Sequence, residues 1–146
     1  MEPLTLVEVP APASPYWSPF GECHDGYTER WWTDMYPYEE GRRSWFAVRR
    51  GRREVGRIEL RREVQLDHYA PQLDDRPLLS IDFFQIRDTE QRAGNGRQAV
   101  TVLVDTFPGW RLFALSQDAD HFWSALGWHR VEHPTEPMRR PLFLAP

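Results

Sequence analysis

The chain has 146 residues, a net charge of −4, 14% aromatic residues and a single cysteine, Cys23. That length suits one domain with a sizeable core, and one thiol excludes an internal disulfide or a thiolate metal cluster. The acidic balance argues against a general nucleic-acid binder and suits an amine or cationic substrate, and with no membrane-length apolar run and no secretory leader a cytoplasmic protein is expected.

Leu4 to Val9 reads as a first strand, and the prolines from Pro10 to Pro19 as loop. Glu22 to Tyr36 holds one or two short helices ended by Pro37. Its Tyr27, Trp31, Trp32 and Met35 fall near helical spacing, as core or as an aromatic wall of a substrate pocket. Glu29, Asp34, Glu39 and Glu40 form an acidic patch, read as a solvated face, and His24 and His68 are expected to be solvated. Cys23 has no identifiable base partner and reads as ordinary.

Ser44 to Arg49 and Val55 to Val64 read as a hairpin turned at Gly51. Ile58, Leu60 and Val64 share one face of its second strand and Arg57, Glu59 and Arg61 the other. Glu59 is therefore expected at the surface, paired with Arg57 or Arg61. The connection from Asp67 to Pro77 is long enough to be a functional rim or a plain surface loop. Leu78 to Ile86 is the most apolar strand, and its parity changes between Phe83 and Phe84. Burial on both faces or a β-bulge near Phe83-Phe84 accounts for that.

Arg97 to Phe107 is an amphipathic helix stopped by Pro108-Gly109, and Trp110 to Leu115 alternates like a strand. Asp118 is expected to cap a helix running to about Leu126, with Gly127 at its C-terminal turn. Trp128 to Glu132 is a strand candidate, and Pro141 to Leu144 a last edge strand through which a homodimer could form. His129 and His133 flank Glu132 and Pro134 follows, so no zinc-protease helix exists there and no metal is expected.

The segment Gln91-Arg92-Ala93-Gly94-Asn95-Gly96 joins the apolar strand to the helix. A Gly loop opening a helix N-terminus is an anion cradle, because its N–H groups converge and the helix dipole favours negative charge. Gly94 and Gly96 have no Cβ to hold a phosphate away. Downstream comes Phe122-Trp123-Ser124-Ala125-Leu126-Gly127-Trp128.

These two motifs resemble those of the GNAT N-acetyltransferase superfamily. Gln91, Gly94 and Gly96 fill its Gln/Arg-x-x-Gly-x-Gly/Ala pattern, and Ala119, Phe122, Trp123, Leu126, Gly127 and Trp128 fill its second one. The resemblance implies an α/β fold (α+β), a central mixed, mostly antiparallel sheet flanked by helices, in one domain over 1–146. Residues 44–132 would be the acetyl-CoA-binding core and 1–43 the variable substrate-side segment. It implies that N–H groups from Arg92 to Arg97, through Ala93, Gly94, Asn95 and Gly96, hold the pyrophosphate of acetyl-CoA. The main chain of Phe84, Gln85 and Ile86 would pair with the pantetheine arm, and an N–H near Gln85 would polarise the thioester. Ser116 stands where the family often has a pantetheine-holding Asn, and Trp123 where it often has a Tyr that protonates the leaving thiolate. An indole is no usable acid, so Ser116 or a water is left for that step.

Transfer to an amine also needs a base. Asp82, among apolar neighbours on the apolar strand, is the first candidate, and Glu59 on the preceding strand the second. The expected function is N-acetylation of a primary amine of a small molecule or peptide, with acetyl-CoA as donor. The departures at Ser116 and Trp123 keep a second reading, an acyl-CoA-binding module with little catalysis. A toxin acetylating aminoacyl-tRNA would need a basic surface, which this acidic chain lacks.

Overall fold

The computed structural model describes residues 2–10, 18–21, 23–33, 42–66, 69 and 73–146. In chain order the elements are β1 (Leu4–Glu8), α1 (Glu29–Thr33), β2 (Arg43–Arg50), β3 (Arg53–Arg61), β4 (Leu78–Ile86), α2 (Asn95–Thr106), β5 (Arg111–Leu115), α3 (Asp120–Ala125), β6 (His129–Val131) and β7 (Leu142–Leu144). A 3-10 turn, Asp88–Glu90, follows β4. Asp34, Met35, Glu39, Glu40 and His68 lie outside the described residues.

The strands form one sheet in the order β1-β2-β3-β4-β5-β7-β6. Only β4 and β5 run parallel, as the crossover through α2 requires. The helix lays Ala99, Val100 and Leu103 on the sheet, over Phe46, Val48, Ile58 and Leu79. Each fully buried aliphatic side chain contributes roughly 1.5–3 kcal/mol. A second cluster, Leu66, Tyr69, Phe113, Leu142 and Leu144, covers the opposite face of β5 and β7.

That second cluster corrects the reading of the last strand. Residues Leu142–Leu144 are buried and lie between β5 and β6, so they are no edge and offer no dimer surface. Burial on both faces removes the polar alternation that marks a half-exposed strand. The edges are β1 and β6.

The expected bulge is present, one residue earlier than Phe83-Phe84. Glu59 pairs with Phe83 and Leu60 with Ile81, which leaves Asp82 as the extra residue of β4. Asp118, expected as a cap, has φ 56 and makes no cap; Ala119 occupies that position. Gly127 does end α3, at φ 80.

The outward face of β3 is covered too. The Arg57 guanidinium lies 4.5 Å from the Phe20 ring centre and 4.1 Å from that of Tyr27. It donates to Glu54 at 3.0 Å and to the Cys23 carbonyl at 2.8 Å, and meets His24 Nδ1 at 2.9 Å. His24 is therefore buried against Arg57, contrary to expectation. Burial, reinforced by the Glu54 carboxylate, also pushes the Tyr27 phenol well above its ordinary range. His133 is buried as well, and its Nδ1 accepts the N–H groups of Thr135 and Glu136.

Candidate active site

β4 and β5 pair only from Leu78/Arg111 to Ile81/Ala114 and then part. The break coincides with the bulge at Asp82, since an extra residue bends and twists its strand. Beyond it, β4 remains paired to β3 on one side and borders a cleft of about 680 Å³ on the other.

Antiparallel pairs alternate between bonded and non-bonded. Arg87 N–H donates to Val55 O, which makes Gln85 opposite Arg57 a bonded pair in the same register. The main chain of Gln85 thus turns to β3, and those of Phe84 and Ile86 turn to the cleft. The main-chain N–H groups beside Gln85 that turn to the cleft are those of Phe84 and Ile86. The Gln85 side chain is engaged elsewhere: its Oε1 accepts from Thr28 N–H at 2.9 Å and Trp32 Nε1 at 3.0 Å. It ties α1 over the sheet, with Trp32 in the core and Trp31 on the cleft wall.

The N-terminus of α2 heads the cleft. Gly94 takes φ 79 there, a left-handed conformation that glycine adopts without strain, and no side chain caps the helix. The first bond of the helix is Gln98 N–H to Gly94 O, so the N–H groups of Asn95, Gly96 and Arg97 have no partner within the helix. The Asn95 side chain has a structural task. It accepts from Arg50 at 2.7 Å and donates to Glu90 O at 2.9 Å, fixing the loop to the end of β2. Gln91 Nε2 donates to Ile86 O at 3.1 Å, and Arg97 to Ala125 O at 3.3 Å. Gly96 is close-packed: a Cβ there would lie 3.0 Å from Phe122 Cε1. We expect Gly96→Leu to force α2 and α3 apart and to cost about 1–3 kcal/mol. The unfolding midpoint without ligand checks this, and an unchanged midpoint would mean the contact is not limiting.

Every predicted site residue lines this cleft except Glu59, Ala93 and Ser116. Ser116 is buried, its hydroxyl accepts from Ala119 N–H at 3.2 Å, and it helps hold the Asp120 carboxyl below its ordinary range. It sits at the start of α3 and does not line this cleft. Trp123 packs on Trp128 at 4.7 Å between ring centres. Among the described lining residues none is Tyr, Cys or His.

The carboxylates differ from expectation. Asp82 lines the cleft, but its neighbours are not only apolar. Oδ1 accepts from Ser80 at 2.6 Å, and Oδ2 meets Arg61 at 3.0 Å and Arg43 at 3.3 Å. Glu59, expected at the surface, is 1% exposed. It accepts from Trp45 Nε1 at 2.7 Å and from Arg43 at 3.0 Å. Burial pushes its carboxyl up to about 7, against the pull of Trp45 and Arg43. Sequence reasoning missed Gln117, Asp118 and Arg140 in the lining. Asp118 was assigned elsewhere, and nothing local to Arg140 announces that β7 carries it to the splay.

This sheet, parted after β4 beneath a helix N-terminus, is the fold of the GNAT acetyltransferases. An acetyltransferase from Thermus thermophilus matches at 23% identity and TM-score 0.55, over 73% of this chain and 66% of that one. The chain thus spans just under two thirds of that protein's length. The Bacillus subtilis N-acetyltransferase YlbP in complex with coenzyme A matches at 16% and 0.55, over 70% and 67%. KacT matches as a Tyr-to-Phe point mutant at 18% and 0.61, over 97% and 94%, and in a KacTA–DNA complex at 16% and 0.54, over 98% and 92%. At such identities the likeness is one of fold. No family model and no curated protein matches the chain.

Proposed function

We propose that this chain is an N-acetyltransferase that moves the acetyl group of acetyl-CoA to a primary amine. The observation that carries the reading is the splay, which leaves the Phe84 and Ile86 main chain facing a cleft headed by unpaired helix N–H groups. Such an edge can pair with the amides of a pantetheine arm as with another strand, and such a helix start suits a pyrophosphate. The Gly94 conformation and the side-chain-free α2 start fit that group. Acetyl-CoA, once bound, supplies a thioester carbonyl open to attack.

The residues divide the remaining work. Phe84 N–H, which turns to the cleft, polarises the thioester oxygen. Asp82 takes the proton of the acceptor amine, directly or through one water, since it alone among the described cleft carboxylates sits at the parting of the strands. Glu59 lines no cleft and acts on Asp82 through their common partner Arg43. No cleft side chain is assigned to protonate the thiolate, which takes its proton from solvent. The acidic charge of this chain disfavours phosphate-backbone contacts such as a DNA complex needs.

Thermal unfolding with acetyl-CoA tests the donor site. A ligand at 100 times its Kd adds about 2.7 kcal/mol, a shift of several degrees. We expect that shift with acetyl-CoA and none with adenosine 3′,5′-bisphosphate at equal concentration. No shift at millimolar acetyl-CoA would sink the reading. A shift without transfer to any amine would leave an acyl-CoA-binding module.

A further inference from the structure

A second cleft, of about 510 Å³, opens on the other face of the sheet. Its apolar wall is Leu66, Tyr69, Phe113 and Leu142 from the second core cluster, whereas the first cleft is walled by Phe84, Phe122 and Trp123 of the main core. The two clefts share Ile81, Asp82, Phe83, Leu115 and Arg140. They meet where β4 and β5 part, which is where the acetyl group would be presented on the reading above.

Among the described residues, the charge lining this second cleft is opposite to that of the chain. Arg43, Arg61, Arg139 and Arg140 line it, and Asp82 is its one carboxylate among the described residues. Arg43 is held by Glu59 and Asp82, Arg61 by Asp82 and Arg139 by Glu136. Arg140 is exposed and lies at the junction of the two clefts, with no ion-pair partner among the described residues. A second ammonium on an acceptor would meet the Arg140 cation at close range. An oxyanion would meet the planar fork that binds carboxylate or phosphate through two parallel N–H donors.

We propose that the second cleft holds the acyl acceptor and selects an amine that also carries an oxyanion, with Arg140 binding that group while the amine reaches the splay beside Asp82. The proposal rests on the acetyltransferase reading and names its substrate class. It departs from the expectation from overall charge: net charge −4 suggests a cationic substrate, but a ligand meets the local field of its pocket.

The test is acetyl transfer by the full chain, with acetyl-CoA, to matched amines. The panel pairs each proteinogenic amino acid with its amide and phosphoethanolamine with ethanolamine, and adds spermidine. We expect the best anionic acceptor to exceed its neutral partner at least tenfold in kcat/KM, and the two pairings separate carboxylate from phosphate. Arg140→Gln should raise KM for that acceptor about tenfold and leave its neutral partner within twofold. Preference for spermidine or the neutral partners would overturn the proposal. So would an Arg140→Gln loss equal for both members of a pair, which would place Arg140 on the donor side. Failure of the acetyltransferase reading is read separately, as no acetyl-CoA shift in unfolding.

Discussion

Replacing Asp82 with Asn is expected to lower kcat by about 10²–10⁴, the range in which a positioned general base acts. Acetyl-CoA should still raise the unfolding midpoint by nearly the wild-type amount, because the proposed donor contacts come from the main chain of β4 and the start of α2. Asn keeps an oxygen for Ser80 Oγ but gives up the ion pairs to Arg43 and Arg61. The unfolding midpoint of the variant therefore has to be compared with wild type before the rate is read. Full turnover in a folded Asp82→Asn protein would remove Asp82 as the base. Loss of both turnover and the acetyl-CoA shift would make it a residue that holds the bulge and hence the splay.

Glu59→Gln is expected to flatten the pH dependence of stability. Burial raises the Glu59 carboxyl from 4.5 to about 7, so the folded state holds its proton more tightly than the unfolded state. The stabilising contribution is full below pH 4.5 and is lost as the pH rises through about 7. Its size is on the order of 3 kcal/mol, from 1.36 kcal/mol per pKa unit. Wild type should therefore lose that much more stability than Glu59→Gln between pH 4.5 and 8, measured by denaturant unfolding at each pH. Parallel curves would show that burial does not govern Glu59. A Gln oxygen can still accept from Trp45, and Arg43 keeps Asp82, so the variant is expected to fold.

The elements with strong local signals were legible. The Leu78 to Ile86 strand, the amphipathic helix after Gly94 and the glycine turn at Gly127 follow from period, phase change and left-handed backbone. The parity break in the apolar strand located the bulge to within one residue, since an inserted residue must switch the faces that follow it. Side-chain roles were less legible. Parity placed Glu59 and Arg57 on the polar face, but Arg57 is roofed by Phe20, His24 and Tyr27, and Glu59 is buried with Trp45 and Arg43 as its partners. Likewise Ser116 stands at a motif position, yet its hydroxyl is engaged at the start of α3.

By itself the sequence determined the order of strands and helices, the helix start that favours an anion and the position of the bulge, because each depends on neighbours a few residues apart. Tertiary structure decided which groups share the space where the strands part. Insertion of β7 between β5 and β6 hides Leu142–Leu144 and carries Arg140 to the site, and Trp45 and Arg43 of β2 meet the buried Glu59. Both depend on chain segments meeting across the sheet, and burial, field and pairing follow from that meeting rather than from local pattern.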